Sequence, residues 1–288
     1  MDAVAAIIVP GLLLFGGTAG RDTLLVEEKF LGSFVHATRL TVDSGGRMYV
    51  LDEGRDLLLR YSAKGEEQTV GGYGRDGFSF DRPTGVATDG LNIYVADHGN
   101  HRVNRYDRSL TFVSALSTRD SSYAPARFGY PLGVALSRQG DLFILDGENR
   151  RVVKFNAQSK FERSFGDREV LPGRLRKPRE IMVSRQDRVY VLEEDRVLEF
   201  DYAGNFVQVL GQGLFAEATG FGETREGFVV CTKESFLWFD RGGKLGHVKN
   251  ADRIISGFQL TPIEDVVVEE NRVLILSRQR IGIFRMIR

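Results

Sequence analysis

Apolar and polar positions alternate along most of this chain in short runs, and one arrangement of runs returns six times. In each copy an apolar segment, such as IYVAD or LFILD, is followed by a polar loop and a second apolar segment that ends on an aromatic residue. Alternation of this kind over short runs predicts β-strands. The first segments end at Asp52, Asp97, Asp146, Glu193, Cys231 and Ser277, and the aromatic residues are Tyr61, Tyr106, Phe155, Phe200, Phe239 and Phe284.

The spacing of the copies indicates the architecture. Successive copies are between 38 residues apart (Glu193 to Cys231) and 49 residues apart (Asp97 to Asp146). An apolar strand precedes each copy, as in RPTGVAT, and a turn with an outer strand follows, as in DYAGNFVQVLG. Four short strands every 40–50 residues or so is the period of a propeller blade. The pattern therefore predicts an all-β fold, a six-bladed β-propeller of four-stranded antiparallel blades.

The two ends of the chain predict how the ring closes. The sixth copy stops at Arg288, directly after its third strand, whereas the strand-like segment 23–34 precedes the first copy. An open edge strand would invite aggregation, so we expect segment 23–34 to pair with the last blade as its fourth strand. The predicted propeller covers 21–288, with blades that begin near residues 36, 82, 130, 177, 214 and 260.

The second copy carries the clearest sequence motif. It has Pro-x-Gly-Val-Ala, then IYVAD, then NHRV and a final aromatic residue followed by Asp. These residues resemble the NHL repeat, so residues 36–288 are similar to an NHL-type six-bladed β-propeller. Propellers of this type serve as protein-binding, RNA-binding, sensor and occasionally enzymatic modules, so the resemblance implies a fold more than a function.

Acidic and arginine residues recur together in the loops after the middle strands. Asp97 with Arg102, Asp146 with Arg151 and Glu193 with Arg196 follow one pattern, Asp52 has Arg55 nearby, and the fifth copy has lost both members. An acid and an arginine that form a structural pair should be kept or lost together, because removing one partner of a buried ion pair leaves the other charge uncompensated. We expect these residues to form structural clamps across the loop.

His98 and His101 next to Asp97 raise the alternative of a metal site. The third copy has Gly147 and Arg150 at these positions, and no other copy offers a histidine there. Zinc needs three or four converging ligands. Amidating lyases of similar propeller shape use histidines from several blades, which this chain lacks. The sequence therefore predicts no metal ligands here.

The innermost strands of a propeller begin around the central channel. The residues at these positions are Arg39, Gly85, Gly133, Glu180 and Asp265, and the fifth blade is left open between Glu217 and Thr219. The carboxylates of Glu180 and Asp265 leave open the binding of a divalent cation such as calcium at the mouth. The Glu-Gly-Pro opening of lactonase-like propellers is absent. We expect Arg39, Glu180 and Asp265 to form a ligand-binding mouth of paired or solvated charges, and no cofactor is predicted.

Charge and composition narrow the classes of partner. Lys and Arg total 39, as do Asp and Glu, so no global field attracts nucleic acid. The segment PGRLRKPRE nonetheless offers a basic contact patch of Arg174, Arg176, Lys177 and Arg179. The 33 glycines suit many tight turns, and Cys231, the single cysteine, excludes an internal disulfide.

The first 20 residues suggest export. Residues 3–17 are apolar and are followed by small residues, which is typical of a signal peptide, although no Lys or Arg precedes them. A membrane anchor and a misplaced start remain alternatives for this segment. We expect an extracytoplasmic (periplasmic or secreted) location.

These observations favour a monomeric, exported, non-catalytic scaffold that binds a protein, peptide or glycan. The alternative is a metal-assisted hydrolase or lyase that uses Glu180 and Asp265 at the channel mouth. A second alternative is an intracellular NHL scaffold that binds RNA or a ligase partner.

Overall fold

The computed structural model describes residues 24–167 and 172–287, which form six four-stranded antiparallel sheets. The first three blades follow the chain in order, each from its innermost to its outermost strand. Blade one consists of β2 (Ala37–Val42), β3 (Met48–Asp52), β4 (Leu57–Tyr61) and β5 (Glu67–Gly71). Blade two consists of β6 (Pro83–Thr88), β7 (Asn92–Asp97), β8 (Arg102–Asp107) and β9 (Phe112–Leu116). Blade three consists of β10 (Pro131–Leu136), β11 (Leu142–Asp146), β12 (Arg151–Phe155) and β13 (Phe161–Phe165).

The remaining blades repeat this order, except that the last is completed from the other end of the chain. Blade four consists of β14 (Glu180–Val183), β15 (Val189–Leu192), β16 (Val197–Phe200) and β17 (Phe206–Leu210). Blade five consists of β18 (Gly220–Glu223), β19 (Gly227–Cys231), β20 (Ser235–Asp240) and β21 (Leu245–Asn250). Blade six consists of β22 (Ile263–Glu269), β23 (Arg272–Ser277), β24 (Ile281–Ile287) and β1 (Leu24–Leu31).

The predicted closure of the ring is confirmed. β1 pairs antiparallel with β24 from Leu24 opposite Ile287 to Leu31 opposite Ile281, and takes the outer position of blade six. Leu25 is buried in the core between blades five and six, beside Phe284. The predicted leader, residues 1–20, lies outside the described residues.

Burial explains why the strands keep this order. The second strands of blades one and three are buried along their whole length, whereas β5 is mostly exposed. The apolar cores lie between adjacent blades: one contains Leu145 and Phe143 of blade three together with Val191 and Phe200 of blade four. Each blade therefore depends on its neighbours to cover its faces, as expected of a propeller. In the parts of the chain that the structure describes, no helix is long and apolar enough to span a membrane.

Candidate functional site: the channel mouth

The loops after the middle strands are anchored by the acidic residues that the sequence singled out. Asp97 accepts hydrogen bonds from the backbone N–H of Asp81 (2.8 Å) and from Arg102 Nε (2.8 Å). Arg102 in turn donates to the carbonyls of Arg75 (2.7 Å) and Ser79 (3.1 Å). Each pair therefore holds the connection that enters its own blade.

The same arrangement returns in three other blades. Arg55 Nε lies 2.7 Å from Asp52, Arg151 Nε lies 3.1 Å from Asp146, and Arg196 Nε lies 2.6 Å from Glu193. The Glu193–Arg196 pair is almost completely buried, with side-chain exposures of 2% and 1%. These contacts occupy the carboxylates fully, so the clamp residues are built into the fold and do not face a ligand.

The histidines beside Asp97 are also engaged within the protein. The Nδ1 atom of His98 lies 3.3 Å from the carbonyl of Pro131, and His101 Nδ1 accepts a hydrogen bond from the backbone N–H of Tyr130 (3.1 Å). His101 also contacts Arg119 through Nε2. Burial lowers the pKa of both histidines. Within residues 24–167 and 172–287, no three His, Cys, Asp or Glu side chains come together as metal ligands.

Of the three charged residues predicted at the channel mouth, Arg39 and Glu180 form an ion pair, and the charge of Asp265 acts on the pKa of both. Arg39 reaches from blade one towards blades four and five, where its guanidinium donates to the carbonyls of Thr219 (3.2 Å) and Arg179 (3.4 Å). Its Nε lies 3.8 Å from Glu180 Oε2, which is an ion-pair separation beyond hydrogen-bond distance. We call Arg39, Glu180 and Asp265 the axial layer.

Asp265 connects the last blade to the first. One carboxylate oxygen accepts from the backbone N–H of Leu40 on blade one (2.8 Å), and the other accepts from the N–H of Val266 (2.8 Å). Both oxygens are therefore committed to backbone groups. Burial raises the pKa of Asp265 to about 6, although the nearby charge of Arg39 opposes this.

Burial also acts on the pKa values of the other two members of the layer. It raises the pKa of Glu180 well above its ordinary value, and the negative charge of Asp265 adds to this effect. Burial disfavours the charge on Arg39, but the carboxylates of Glu180 and Asp265 outweigh it, and the pKa of Arg39 is raised. The layer thus contains a permanent cation, a carboxylate held by backbone N–H groups, and a Glu180 carboxyl whose pKa is raised by burial.

The axial layer separates two cavities. The vestibule on the mouth side has a volume of about 260 Å³ and is lined by Thr38, Arg39, Glu53, Thr84, Leu132, Pro178, Arg179, Thr219 and Glu264. The channel on the other side, about 270 Å³, is lined by the inner strands of blades one to six. Of the axial layer, Arg39 lines the vestibule and Glu180 lines the channel on the other side, whereas Asp265 is buried between blades one and six.

The glycines at the mouth explain its shape. A Cβ atom on Gly85 would lie 2.6 Å from the Cα of Gly133, so the inner strands of blades two and three approach each other there. Blade five, which the sequence left open at 217–219, has Phe221 at the position that Glu180 takes in blade four. Phe221 pairs with Val230, the residue before Cys231, and Glu180 pairs with Leu192, the residue before Glu193. Thr219 contributes its carbonyl instead.

The sequence did not identify most of the vestibule wall. Thr38, Thr84, Leu132, Arg179 and Glu264 each come one residue before a predicted mouth position. Successive side chains of a strand point to opposite sides, so this wall could have been read from the same alignment. Glu53 comes from the loop after β3, and no repeated pattern marks it.

The basic segment before blade four is partly neutralised. Lys177 Nζ and Arg179 Nη2 lie 3.0 Å and 2.8 Å from the carboxylate of Glu194. Arg174 and Arg176 are exposed, and their backbone groups belong to the clamp of Glu193 and Arg196. The four side chains therefore do not form one uninterrupted basic surface.

The comparisons with known proteins agree with this architecture. The NHL repeat family profile matches residues 80–106 and 128–155, which contain the clamps of blades two and three. Solved structures of the same shape include a streptogramin B lyase (TM-score 0.64, 12% identity, 92% of this chain and 98% of that one). A selenomethionine-substituted virginiamycin B lyase from Staphylococcus aureus has a TM-score of 0.62 at 12% identity, covering 87% of this chain and 80% of that one. At this identity the likeness concerns the fold alone.

Two curated proteins are similar in sequence. Protein brain tumor of Drosophila melanogaster is 31% identical over 140 residues, which is 46% of this chain and 12% of that protein. The probable peptidyl-alpha-hydroxyglycine alpha-amidating lyase pgal-1 of Caenorhabditis elegans is 27% identical over 164 residues, 53% of this chain and 45% of that protein. The matched regions thus span less than half the length of either relative.

Proposed function

We propose that this chain, which carries NHL repeats in a six-bladed β-propeller, is a non-catalytic binding module whose vestibule receives a segment of a protein or peptide partner. The observation that carries the proposal is the axial layer, whose Arg39 lines the vestibule. Arg39 and Asp265 use their polar atoms to tie blades one, four, five and six together. A layer fixed in this way is preorganised, which lowers the entropic cost of binding.

The vestibule wall suits a peptide better than a single charged group. Glu53 and Glu264 lie on one side of the ring and Arg179 on another, with apolar Leu132 and Pro178 between the charged residues. A peptide segment presents donors, acceptors and apolar side chains together, and a wall of mixed character can pair with all three.

The axial layer does not offer the ligands that calcium prefers. Calcium takes six to eight oxygen ligands or so. Both oxygens of Asp265 already accept backbone hydrogen bonds, and the guanidinium of Arg39 lies 3.8 Å from Glu180 Oε2. The set therefore does not fit a divalent cation.

A peptide array probed with the purified protein tests the proposal. We expect selected peptides to lose affinity for Glu53→Arg, which reverses a charge on the vestibule wall. The matched control is Glu66→Arg, the same change on the exposed outer turn of blade one. Equal binding by both variants would place the peptide site elsewhere and contradict the proposal.

The alternative function is a lyase, favoured by the similarity to pgal-1. Incubation with a peptidyl-α-hydroxyglycine peptide, followed by mass spectrometry, tests it. Our proposal predicts no peptide amide and no rise in melting temperature when calcium is titrated. Release of the amide, or a calcium-dependent rise that disappears in Glu180→Ala, would favour the enzyme, since a ligand of the native state stabilises it.

Export of the module is part of the proposal and rests on the apolar residues 3–17. Mass spectrometry of the protein purified from its native source would then detect a mature N-terminus near Arg21. An intact Met1 on the isolated protein would contradict cleavage of a signal peptide.

A further inference from the structure

The boundary between blades three and four is filled by a tyrosine from the next blade. Tyr202, in the turn between β16 and β17, inserts its ring against blade three, where its hydroxyl donates to Asp141 and lies 3.3 Å from Ser137 Oγ. The ammonium of Lys154 lies 3.8 Å from the ring centroid, and Phe143 packs at 6.0 Å. This boundary thus encloses a flat ring between charged and aromatic side chains.

The boundary between blades four and five has the same framework. Ser184 and Arg188 close the turn before β15 with the hydrogen bonds that Ser137 and Asp141 make before β11. Tyr190 pairs with Glu199 as Phe143 pairs with Lys154. The four side chains around the tyrosine ring therefore have counterparts here. At the two charged positions the sign is reversed: Arg188 replaces Asp141, and Glu199 replaces Lys154.

Among the residues that the structure describes, no side chain occupies this second boundary as Tyr202 occupies the first. The turn between β20 and β21 places Arg241 where the equivalent turn of blade four places Tyr202. In each turn the preceding residue is an aspartate that closes the turn with hydrogen bonds. Arg241 is exposed and donates to the carbonyl of Arg225 in its own blade (3.1 Å). A cleft of about 270 Å³ remains, whereas an apolar cavity of roughly 150 Å³ already admits benzene.

The cleft has an aromatic wall and an acidic floor. Tyr190 and Phe228 face each other with ring centroids 6.2 Å apart. Glu199 is buried and accepts from Gln208 Nε2 (2.8 Å), and both oxygens of Glu223 accept from the backbone N–H of Arg185 (3.2 Å).

Two arginines form the rim. Arg188 is 44% exposed and its Nε lies 3.7 Å from Glu199, and Arg241 is exposed on the facing blade. Charge therefore changes along the depth of the cleft, from carboxylates inside to guanidinium groups at the entrance.

We propose that the cleft between blades four and five binds a small, flat aromatic zwitterion, with its cationic nitrogen group towards Glu199 and its anionic group at the arginine rim. The ring would occupy the position that Tyr202 occupies at the preceding boundary. This site lies at the ends of the inner strands, on the face opposite the vestibule, and is independent of the function proposed there.

The probe is 4-amidinobenzoate, whose amidinium and carboxylate lie at opposite ends of one ring. Saturation-transfer NMR should show binding to the full-length protein, and calorimetry should show weaker binding of benzoate, which lacks the cation. Charge-assisted hydrogen bonds of about 1.5–3 kcal/mol imply a loss of roughly 10- to 100-fold for Glu199→Gln. No saturation transfer from the wild-type protein to the probe, or equal affinity for benzoate, would overturn the proposal.

A filling variant provides the second arm. Arg241→Tyr should supply the missing ring, abolish probe binding and raise the melting temperature, whereas Arg241→Ala should retain binding with a reduction of about tenfold or less. Circular dichroism should show the wild-type β-sheet spectrum for both variants, which confirms that they fold. Undiminished probe binding by Arg241→Tyr would show that the ring does not occupy this cleft.

Discussion

Blades two to four and blade five share one strand order but hold their incoming connections differently. In blades two to four a buried carboxylate at the end of the middle strand accepts hydrogen bonds from that connection and from an arginine. In blade five the corresponding residue is Cys231. There the connection is held by the neighbouring blade, since the N–H groups of Gly213 and Ala218 donate to the carbonyls of Asp195 and Glu194.

The length of a connection does not decide whether its blade carries the carboxylate. The shortest connection, residues 32–36, enters blade one and donates to Asp52. The longer connection 251–262 enters blade six, where the corresponding residue is Ser277. Blade five therefore differs from blades two to four in the residue at the end of its middle strand, and backbone carbonyls replace the missing carboxylate as acceptors.

The largest expected effect tests this contrast directly. Arg196→Met removes the partner of the buried Glu193 carboxylate and should lower the free energy of unfolding by about 3–5 kcal/mol. Ser235→Ala, at the equivalent position of blade five, removes only a hydroxyl contact to Thr232 and should lower it by about 1 kcal/mol. Urea unfolding of both variants measures the difference. Similar losses would mean that the clamp has no special role in blade four.

The next effect concerns the closing strand of blade six. Leu25→Ala removes a side chain that is 4% exposed and lies in the core between blades five and six, so the loss should be about 2–5 kcal/mol. The adjacent Leu24 is 53% exposed, and Leu24→Ala should change stability by about 0.5 kcal/mol or less. If both variants unfolded at the wild-type urea concentration, β1 would not close the ring in solution.

A smaller effect is expected from the glycines that narrow the mouth. Gly85→Ala would force a Cβ to within 2.6 Å of the Gly133 Cα and should destabilise by about 1–3 kcal/mol. Gly246→Ala in blade five is the control, because the nearest atom to its Cβ would be the Trp238 carbonyl oxygen at 3.5 Å. Thermal unfolding should separate the two, and an unchanged melting temperature for Gly85→Ala would contradict the close approach.

The smallest effect is a change in pH dependence. Because the folded-state pKa of Glu180 is raised, this group stabilises the protein at low pH, and the stabilisation is lost as pH rises from the ordinary glutamate pKa towards the folded value. Glu180→Gln cannot ionise, so its stability relative to wild type should increase with pH, by at most about 1.4 kcal/mol per pH unit. Parallel pH profiles for the two proteins would show that Glu180 titrates normally.

The fold was predictable because its signals repeat. Six copies of one strand pattern fixed the number of blades, and the missing last strand pointed to segment 23–34, which the structure confirms as β1 pairing with β24. Asp97 and Arg102 were recognisable as a pair because other copies repeat them.

The mouth was only partly predictable. Arg39, Glu180 and Asp265 follow from strand order, but the sequence does not show that Arg39 crosses the axis to the carbonyls of Thr219 and Arg179. These partners are backbone groups, which carry no residue-specific signal. The cleft between blades four and five was missed for a related reason, because Arg241 appears in the sequence as an ordinary polar turn residue.

The protonation state of Glu180 tests the account of the mouth most directly, because a Glu180 that ionised at its ordinary pKa would offer a carboxylate to a cation. Carbon-13 NMR of protein labelled at the glutamate side-chain carboxyl, with Glu180→Gln to assign the resonance, reports this state as pH is varied. The account predicts that the Glu180 carboxyl titrates well above its ordinary pKa. Titration near the ordinary glutamate pKa, or a shift of the resonance on addition of calcium at neutral pH, would contradict it.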